Sequence, residues 1–178
     1  MWIIKECSDV FSFLICRLAN LSFSEGVFPE VFKVGHVIPL VKKPGTDVSD
    51  PANYRPVTQL NSIGKILEKL AQKQLMRHIS LSPNCNNFHS AYRTMHSTET
   101  AMTKVVNDLL LAADIGCPSI LLSLDISAAF DTLDHARLLQ RATEVFGFTG
   151  NVYDWLGSYL SGRSSYVSVG GVCSAATS

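Results

Sequence analysis

The 178-residue chain lacks the paired cysteines that a zinc ribbon or a redox site would need. Its five cysteines are widely separated, and no Cys-x-x-Cys pair occurs. This pattern excludes those two kinds of site and indicates a reducing compartment. Charged residues interrupt the apolar N-terminus at Lys5, Glu6, Asp9 and Arg17, so neither a signal peptide nor a membrane span is predicted. We therefore expect an intracellular chain, nuclear or cytoplasmic, that has no membrane partner.

The chain also lacks a net charge, because 15 basic and 15 acidic residues balance. The distribution is uneven: residues 31–93 carry nine basic and three acidic groups, a net charge of +6. Residues 1–30 carry two basic and four acidic groups, and residues 94–178 carry four and eight, so both flanking segments are net acidic. A phosphate-binding surface beside a cation-binding site would have this pattern, although a solvated charged face is its commoner cause.

Length and an apolar share of 47% are those of one globular domain with a core. The spacing of apolar residues predicts both helices and strands, and therefore an α+β fold. Helices are expected over residues 10–21, 63–76, 98–113, 138–146 and 155–159. Strands are expected over residues 34–40, 54–57, 119–124 and 165–169, with a Gly170-Gly171 turn leading the last one into residues 172–173.

Asp125 is the most informative single residue, because it follows an apolar run, residues 119–124, that is predicted to be a buried strand. A buried carboxylate must be hydrogen-bonded, paired, protonated or bound to a cation, and a metal ion is the simplest such partner. A structural role is as consistent with the pattern as a functional one. Asp131 is interpreted as a helix N-cap, with Asp134 complementing the helix dipole. His135 has no second His or Cys at ligand spacing and is interpreted as a surface or core histidine.

Basic residues occur in two further patterns. Lys42 and Lys43 precede a loop, and Arg55 follows it, so three cations flank one connection. The helix expected over residues 63–76 carries a separate basic face, which is interpreted as a solubilising surface in preference to a DNA or RNA contact. That face consists of Lys65, Lys69, Lys73 and Arg77.

Six ordered motifs resemble those of reverse transcriptases from non-LTR, LINE-like retrotransposons, and most closely the chicken-repeat and jockey branch. They are PLVKK at 39–43, NYRPV at 53–57, SAYR at 90–93, HSTETA at 96–101, LDISAAFDTLDH at 124–135 and SYLSGR at 158–163. The resemblance covers nearly the whole chain from about Lys5. One motif alone would be weak evidence, but six motifs in the same order make the resemblance specific.

The resemblance implies a right-hand polymerase of which this chain holds the fingers and part of the palm. Residues 1–118 would be a fingers-like region with an N-terminal helix, and residues 119–178 a partial palm, truncated before its sheet is complete. The Gln-Gly-Ser-Pro block, the hairpin with two adjacent aspartates and the thumb are expected further along a longer protein, with an endonuclease module upstream. The family's partners are an RNA template, a DNA primer and deoxynucleoside triphosphates.

The resemblance also implies residue roles. Asp125 would be the first catalytic, metal-binding aspartate, with the carbonyl of Ile126 as a second ligand, for Mg²⁺ or Mn²⁺ held only in a complete palm. Arg55, Lys42 and Lys43 would grip the incoming triphosphate, since guanidinium groups bind phosphate through two hydrogen bonds. Phe130 would crowd the sugar 2′ position and favour deoxynucleotides. Arg93 would lie near the template or nucleotide, and a structural ion pair is an equal alternative for it.

Two hypotheses follow from the sequence. One is a fragment of an RNA-directed DNA polymerase that is inactive alone, because Asp125 is separated from its carboxylate partners. The other is a non-catalytic remnant that binds nucleic acid or another protein through its basic middle third.

Overall fold

The computed structural model describes residues 6–126 and 132–177. The chain forms two units, Met1–His78 with His135–Ser178, and Ile79–Asp134, which are described separately below. The described part contains five α-helices: α1 Ser8–Glu25, α2 Ser62–Leu81, α3 Thr98–Asp114, α4 His135–Phe146 and α5 Asn151–Leu160. Its strands are β1 Val34–Val41, β2 Tyr54–Gln59, β3 Ser164–Val169 and β4 Val172–Cys173. The predicted α+β class is confirmed.

The first unit contains one mixed sheet with the strand order β2-β1-β3-β4. β1 pairs antiparallel with β2, so that Leu40 lies opposite Arg55. β1 pairs parallel with β3, and Val34 lies opposite Ser164. β3 returns antiparallel into β4 through Gly170 and Gly171, both of which have positive φ, as the predicted hairpin requires.

The core of the first unit is aromatic. Phe28 and Trp155 are buried and meet edge to face with their ring centroids 5.5 Å apart. The Trp155 indole N–H donates to the buried Ser22 hydroxyl at 2.9 Å, which satisfies both polar groups. Leu67 and Ala71 of α2 pack into the same cluster, as does Ala19 of α1. The apolar stripe that predicted α2 therefore faces the core at Leu67, whereas the stripe that predicted α1 is largely exposed, with Val10, Leu14 and Leu21 each more than half exposed.

α1 ends where its sequence predicts, at Gly26. This residue has a φ of 66°, and its N–H donates to the Ser22 carbonyl, which closes the helix in the left-handed conformation that glycine favours. A Cβ at Gly26 would lie 2.9 Å from the Asp154 Cβ of α5. Glycine is therefore required both by the backbone and by the close approach of α1 to α5.

The described part of the second unit contains the last three residues of α2, all of α3, and irregular segments over residues 82–97 and 115–126. α3 begins with a capping box, in which Ser97 and Thr100 each accept a backbone N–H of the other. The Ser97 side chain lowers the pKa of the neighbouring Glu99 carboxyl by hydrogen bonding, with a smaller contribution from the backbone. None of the residues of α3 is buried.

The strand predicted over residues 119–124 is wrong. Residues 117–126 form neither strand nor helix, and Ile120 and Leu124 are 96% and 83% exposed. A strand exists only when a neighbouring strand pairs with its N–H and C=O groups, and none of the described strands pairs with this segment. An apolar composition alone therefore did not produce the element.

The helix predicted after this segment is confirmed, but its start is later than the N-cap prediction implied. α4 begins at His135, directly after Asp134, and ends before Gly147, which has a φ of 70°. Asp131 lies outside the described residues. None of the described helices is long and apolar enough to cross a membrane.

Candidate functional site

Three exposed cations lie at one end of the β1–β2 hairpin. Lys42 and Lys43 follow β1, and Arg55 is the second residue of β2, opposite Leu40. The Lys42 N–H donates to the Asn53 carbonyl at 2.8 Å and extends the ladder beyond the strands. We call Lys42, Lys43 and Arg55 the basic hairpin cluster. The antiparallel pairing therefore brings together residues that are 12 positions apart in the sequence.

The loop between these cations is held by its own polar side chains. The Asp47 carboxylate accepts the Ser49 hydroxyl at 2.7 Å and the Ser49 N–H at 2.8 Å, which lowers the pKa of Asp47. The Asp50 carboxylate accepts the Ala52 N–H at 2.9 Å and caps the short 3₁₀ helix Pro51–Asn53. The Asn53 amide donates to the Asp47 carbonyl at 3.0 Å. These bonds define the path of the loop without using Lys43 or Arg55.

The cations of the cluster differ in how far they are free to bind a ligand. The Lys42 ammonium donates to the Ala52 carbonyl at 2.6 Å, and this bond uses one of its three donors. Within residues 6–126 and 132–177, the side chains of Lys43 and Arg55 have neither a hydrogen-bond nor an ion-pair partner. All three side chains are exposed. The arrangement can accept an anion without first breaking an ion pair.

Asp125 and Ile126 lie in the second unit, at the end of the exposed segment 117–126. The prediction that Asp125 is buried is wrong, because its side chain is exposed. Among the described residues, no group of three or more His, Cys, Asp or Glu side chains could hold a metal ion. Mg²⁺ is usually held by one or two carboxylates together with water and substrate phosphates, so this finding does not test the role of Asp125. The predicted metal role of Asp125 and Ile126 stays a prediction.

Two further predicted site residues are Arg93 and Phe130, of which the structure describes only Arg93. The Arg93 guanidinium donates to the Asn87 carbonyl at 3.0 Å within the irregular segment before α3. This bond ties Arg93 to its own segment, while the predicted template contact stays untested. Phe130 lies outside the described residues.

Sequence reasoning did not identify Lys33 and Arg163, which lie together at the other end of β1. Arg163 belongs to the SYLSGR motif, and its position in this ordered block is the feature of the sequence that could identify it. Lys33 gave no such signal, because the parallel pairing of β1 with β3 brings it beside Arg163.

The comparisons with known proteins support the resemblance to reverse transcriptases. Residues 41–177 match the family model described as "Reverse transcriptase (RNA-dependent DNA polymerase)". The chain is 32% identical over 157 residues to the "RNA-directed DNA polymerase from mobile element jockey" of Drosophila melanogaster, an alignment that covers 88% of this chain and 17% of the relative. It is 32% identical over 138 residues to the "Probable RNA-directed DNA polymerase from transposon X-element" of the same species, covering 76% and 15%.

A third relative is the jockey polymerase of Drosophila funebris, which is 29% identical over 146 residues, covering 82% of the chain and 16% of the relative. The chain thus spans about one sixth of the length of the curated relatives that it matches. The family model matches well over half of the chain. The chain therefore belongs to the reverse transcriptase family and is related to the jockey and X-element polymerases of non-LTR retrotransposons.

Proposed function

We propose that this chain is the fingers and the first part of the palm of an RNA-directed DNA polymerase from a non-LTR retrotransposon. Residues 1–118 would form the fingers-like region and residues 119–178 the partial palm. The complete protein would add deoxynucleotides to the 3′-hydroxyl of a DNA primer on an RNA template. Family membership supports this proposal, together with the six ordered motifs.

The observation that carries the proposal is the basic hairpin cluster. The β1–β2 pairing brings Arg55 beside the end of β1, where Lys42 and Lys43 emerge, and all three are exposed. A guanidinium that has no partner among the described residues can bind a phosphate through two parallel hydrogen bonds, and two ammonium groups add point charges. In the complete polymerase this surface would grip the triphosphate of the incoming nucleotide. Phe130 would select deoxynucleotides at the sugar.

Asp125 would be the first metal-binding aspartate, and Mg²⁺ or Mn²⁺ would be held only when a complete palm supplies the other carboxylates. Bound metal ions would activate the primer 3′-hydroxyl and stabilise the leaving pyrophosphate. The exposed position of Asp125 is compatible with this role, since nothing among the described residues covers it.

The cluster is tested by RNA binding measured as fluorescence anisotropy at several salt concentrations. A Lys42→Ala, Lys43→Ala, Arg55→Ala variant should bind RNA more weakly. Its plot of log affinity against log salt should be flatter by about 2, because three single-strand phosphate contacts each contribute about 0.7 to the slope. The matched control is Lys65→Ala, Lys69→Ala, Lys73→Ala, which removes the same charge from α2. Equal binding by both triple variants would contradict the finger assignment.

A second candidate function is a nucleic-acid-binding module without catalysis. It is favoured by the exposed cations of the basic hairpin cluster, which could bind a nucleic-acid backbone without any catalytic step. Primer extension on an RNA template with Mg²⁺ or Mn²⁺, against an Asp125→Ala control, separates the candidates. The isolated chain should give no extension above the control under the fragment hypothesis as well, so the decisive comparison is a longer protein that includes the paired aspartates. Extension there that Asp125→Ala abolishes would support the polymerase, and its absence would support the binding module.

A further inference from the structure

A small pocket of about 180 Å³ lies in the first unit, at the edge of the sheet where β1 and β3 begin. These two strands run parallel, with Val34 opposite Ser164, so their starting ends are side by side. The residues that directly precede them are Lys33 and Arg163. The parallel pairing therefore places two cations at one sheet edge, and both line the pocket.

Lys33 is buried in an unusual way. The residue is only 7% exposed, yet its ammonium has no hydrogen-bond or ion-pair partner among residues 6–126 and 132–177. The stem of Lys33 is covered, but its ammonium nitrogen still reaches solvent. The ammonium is therefore free to bind an anion that enters the pocket.

Arg163 is held rigidly beside it. The Arg163 Nε donates to the Tyr159 carbonyl at 2.7 Å, and the guanidinium carbon lies 4.2 Å from the centroid of the Tyr159 ring. The Nη2 atom is buried without a hydrogen bond and lies 3.8 Å from the Glu68 Oε1. Stacking and the Nε bond fix the plane of the guanidinium, and Nη2 remains a donor without an acceptor.

The charges near the pocket do not balance. Glu68 is the one carboxylate that the described residues bring within 4 Å of either cation, and it also accepts the Tyr159 hydroxyl at 3.2 Å. Two cations beside one carboxylate leave one uncompensated positive charge. A singly charged oxyanion would compensate it.

Gly35 lets the Thr58 side chain of β2 approach β1 closely, because a Cβ at this position would lie 2.7 Å from the Thr58 Cγ2. Gly35 and Leu60 line the pocket together with four hydroxyl-bearing residues, Thr58, Ser164, Ser165 and Thr177. Cations with nearby hydroxyl donors are the groups that bind phosphate in proteins.

We propose that this pocket binds one phosphate group, through Lys33 and Arg163. It is separate from the basic hairpin cluster, because the eight residues of β1 span about 26 Å between them. The inference therefore does not rest on the proposed triphosphate grip. The phosphate can belong to a nucleic-acid backbone or be a free phosphate, and the experiment separates these two sources.

The first arm measures the binding of ³²P-labelled inorganic phosphate by equilibrium dialysis, with ionic strength held constant by KCl. The protein is the full chain that lacks the basic hairpin cluster (Lys42→Ala, Lys43→Ala, Arg55→Ala). Saturation at one phosphate per chain is expected. Adding Lys33→Met, which keeps the apolar stem, should weaken binding at least tenfold, whereas adding the exposed Lys69→Met should change it less than twofold. Circular dichroism verifies that each variant is folded.

Absent or non-saturating phosphate binding would overturn the proposal, and this outcome does not depend on whether Lys33→Met folds. Equal weakening by Lys33→Met and Lys69→Met would also overturn it. The second arm measures anisotropy of a labelled RNA 12-mer with the same variants. A loss of RNA affinity specific to Lys33→Met identifies the backbone as the source, and unchanged RNA affinity with lost phosphate binding identifies free phosphate.

Discussion

The two units of this chain differ in how their apolar residues are used. In the first unit, Phe28, Leu67 and Trp155 are buried within one cluster, and four strands pair into a sheet. In the second unit, α3 has no buried residue, and the apolar residues of segment 117–126 are exposed. Both units have apolar patterns in their sequences, but among residues 6–126 and 132–177 the buried side chains lie in the first unit.

This difference separates two sources of secondary structure. α3 has a capping box and residues of good helix propensity, and both act within a few positions along the chain. A strand has no comparable local source of stability, because its hydrogen bonds are made to another strand. The second unit thus keeps its helix without a core and does not form the strand that its sequence suggested.

The difference in burial between the two units is tested most directly by truncating Trp155. Trp155→Ala removes a buried indole and its hydrogen bond to the Ser22 hydroxyl, which still donates to the Val27 carbonyl, so the free energy of unfolding should fall by about 3–5 kcal/mol. The matched truncation in the second unit is Leu122→Ala. It should change the free energy of unfolding by no more than about 0.5 kcal/mol, because Leu122 is exposed. Urea unfolding followed by circular dichroism measures both. Similar losses would show that segment 117–126 is buried in solution.

A pair of glycines tests the same contrast through the backbone. Gly26 and Gly116 have φ values of 66° and 70°, so alanine at either position is strained by about 1–2 kcal/mol. Gly26→Ala should lower the free energy of unfolding further, by about 2–4 kcal/mol in total, because its Cβ would lie 2.9 Å from the Asp154 Cβ. Nothing lies within 4 Å of the corresponding position at Gly116. Urea midpoints of the two variants should therefore differ, and equal midpoints would contradict the close approach of α1 to α5.

The local origin of α3 can be tested at its cap. Ser97→Ala removes the side-chain acceptor for the Thr100 N–H and should destabilise the helix by about 1 kcal/mol. This corresponds to amide exchange that is about fivefold faster in the first turns of α3. Thr103→Ala is the control within the same helix, since the Thr103 hydroxyl bonds only to the Glu99 carbonyl one turn earlier. Hydrogen exchange measured by NMR should be faster in the first variant alone. Unchanged exchange there would mean that tertiary contacts, not the cap, hold α3.

The smallest expected effect is a pH dependence in the first unit. Burial raises the pKa of the Tyr159 phenol above its ordinary value of 10.0, and the Glu68 carboxylate adds to this shift. The folded state therefore favours the neutral phenol, and this stabilisation is present below pH 10 and lost as the pH rises through the raised pKa. Tyr159→Phe should make unfolding less sensitive to pH between 9 and 11, whereas Tyr92→Phe in the second unit, where Tyr92 is exposed, should not. Parallel pH profiles for both variants would contradict the shift.

Sequence patterns located most of the helices and strands, because their signals are local. The stripe from Val10 to Leu21 predicted α1, and Gly26 predicted its end, as the structure confirms. The alternation after Ser164 and the Gly170-Gly171 pair predicted the β3–β4 hairpin. The three cations of the basic hairpin cluster were also identified from sequence, because they flank one loop between two adjacent strands. The role proposed for these three cations rests on the family motifs, because their spacing alone does not indicate a function.

Two features of this protein depend on contacts between distant parts of the chain, and they are seen only in the tertiary structure. The apolar composition of residues 119–124 predicted a strand, but the described strands leave this segment unpaired, and Asp125 is exposed as a result. Lys33 and Arg163 are 130 positions apart, and the parallel pairing of β1 with β3 makes them neighbours. Neither fact can be deduced from local propensity, because strand pairing and the neighbours of a charged residue are set by which segments meet in the folded chain.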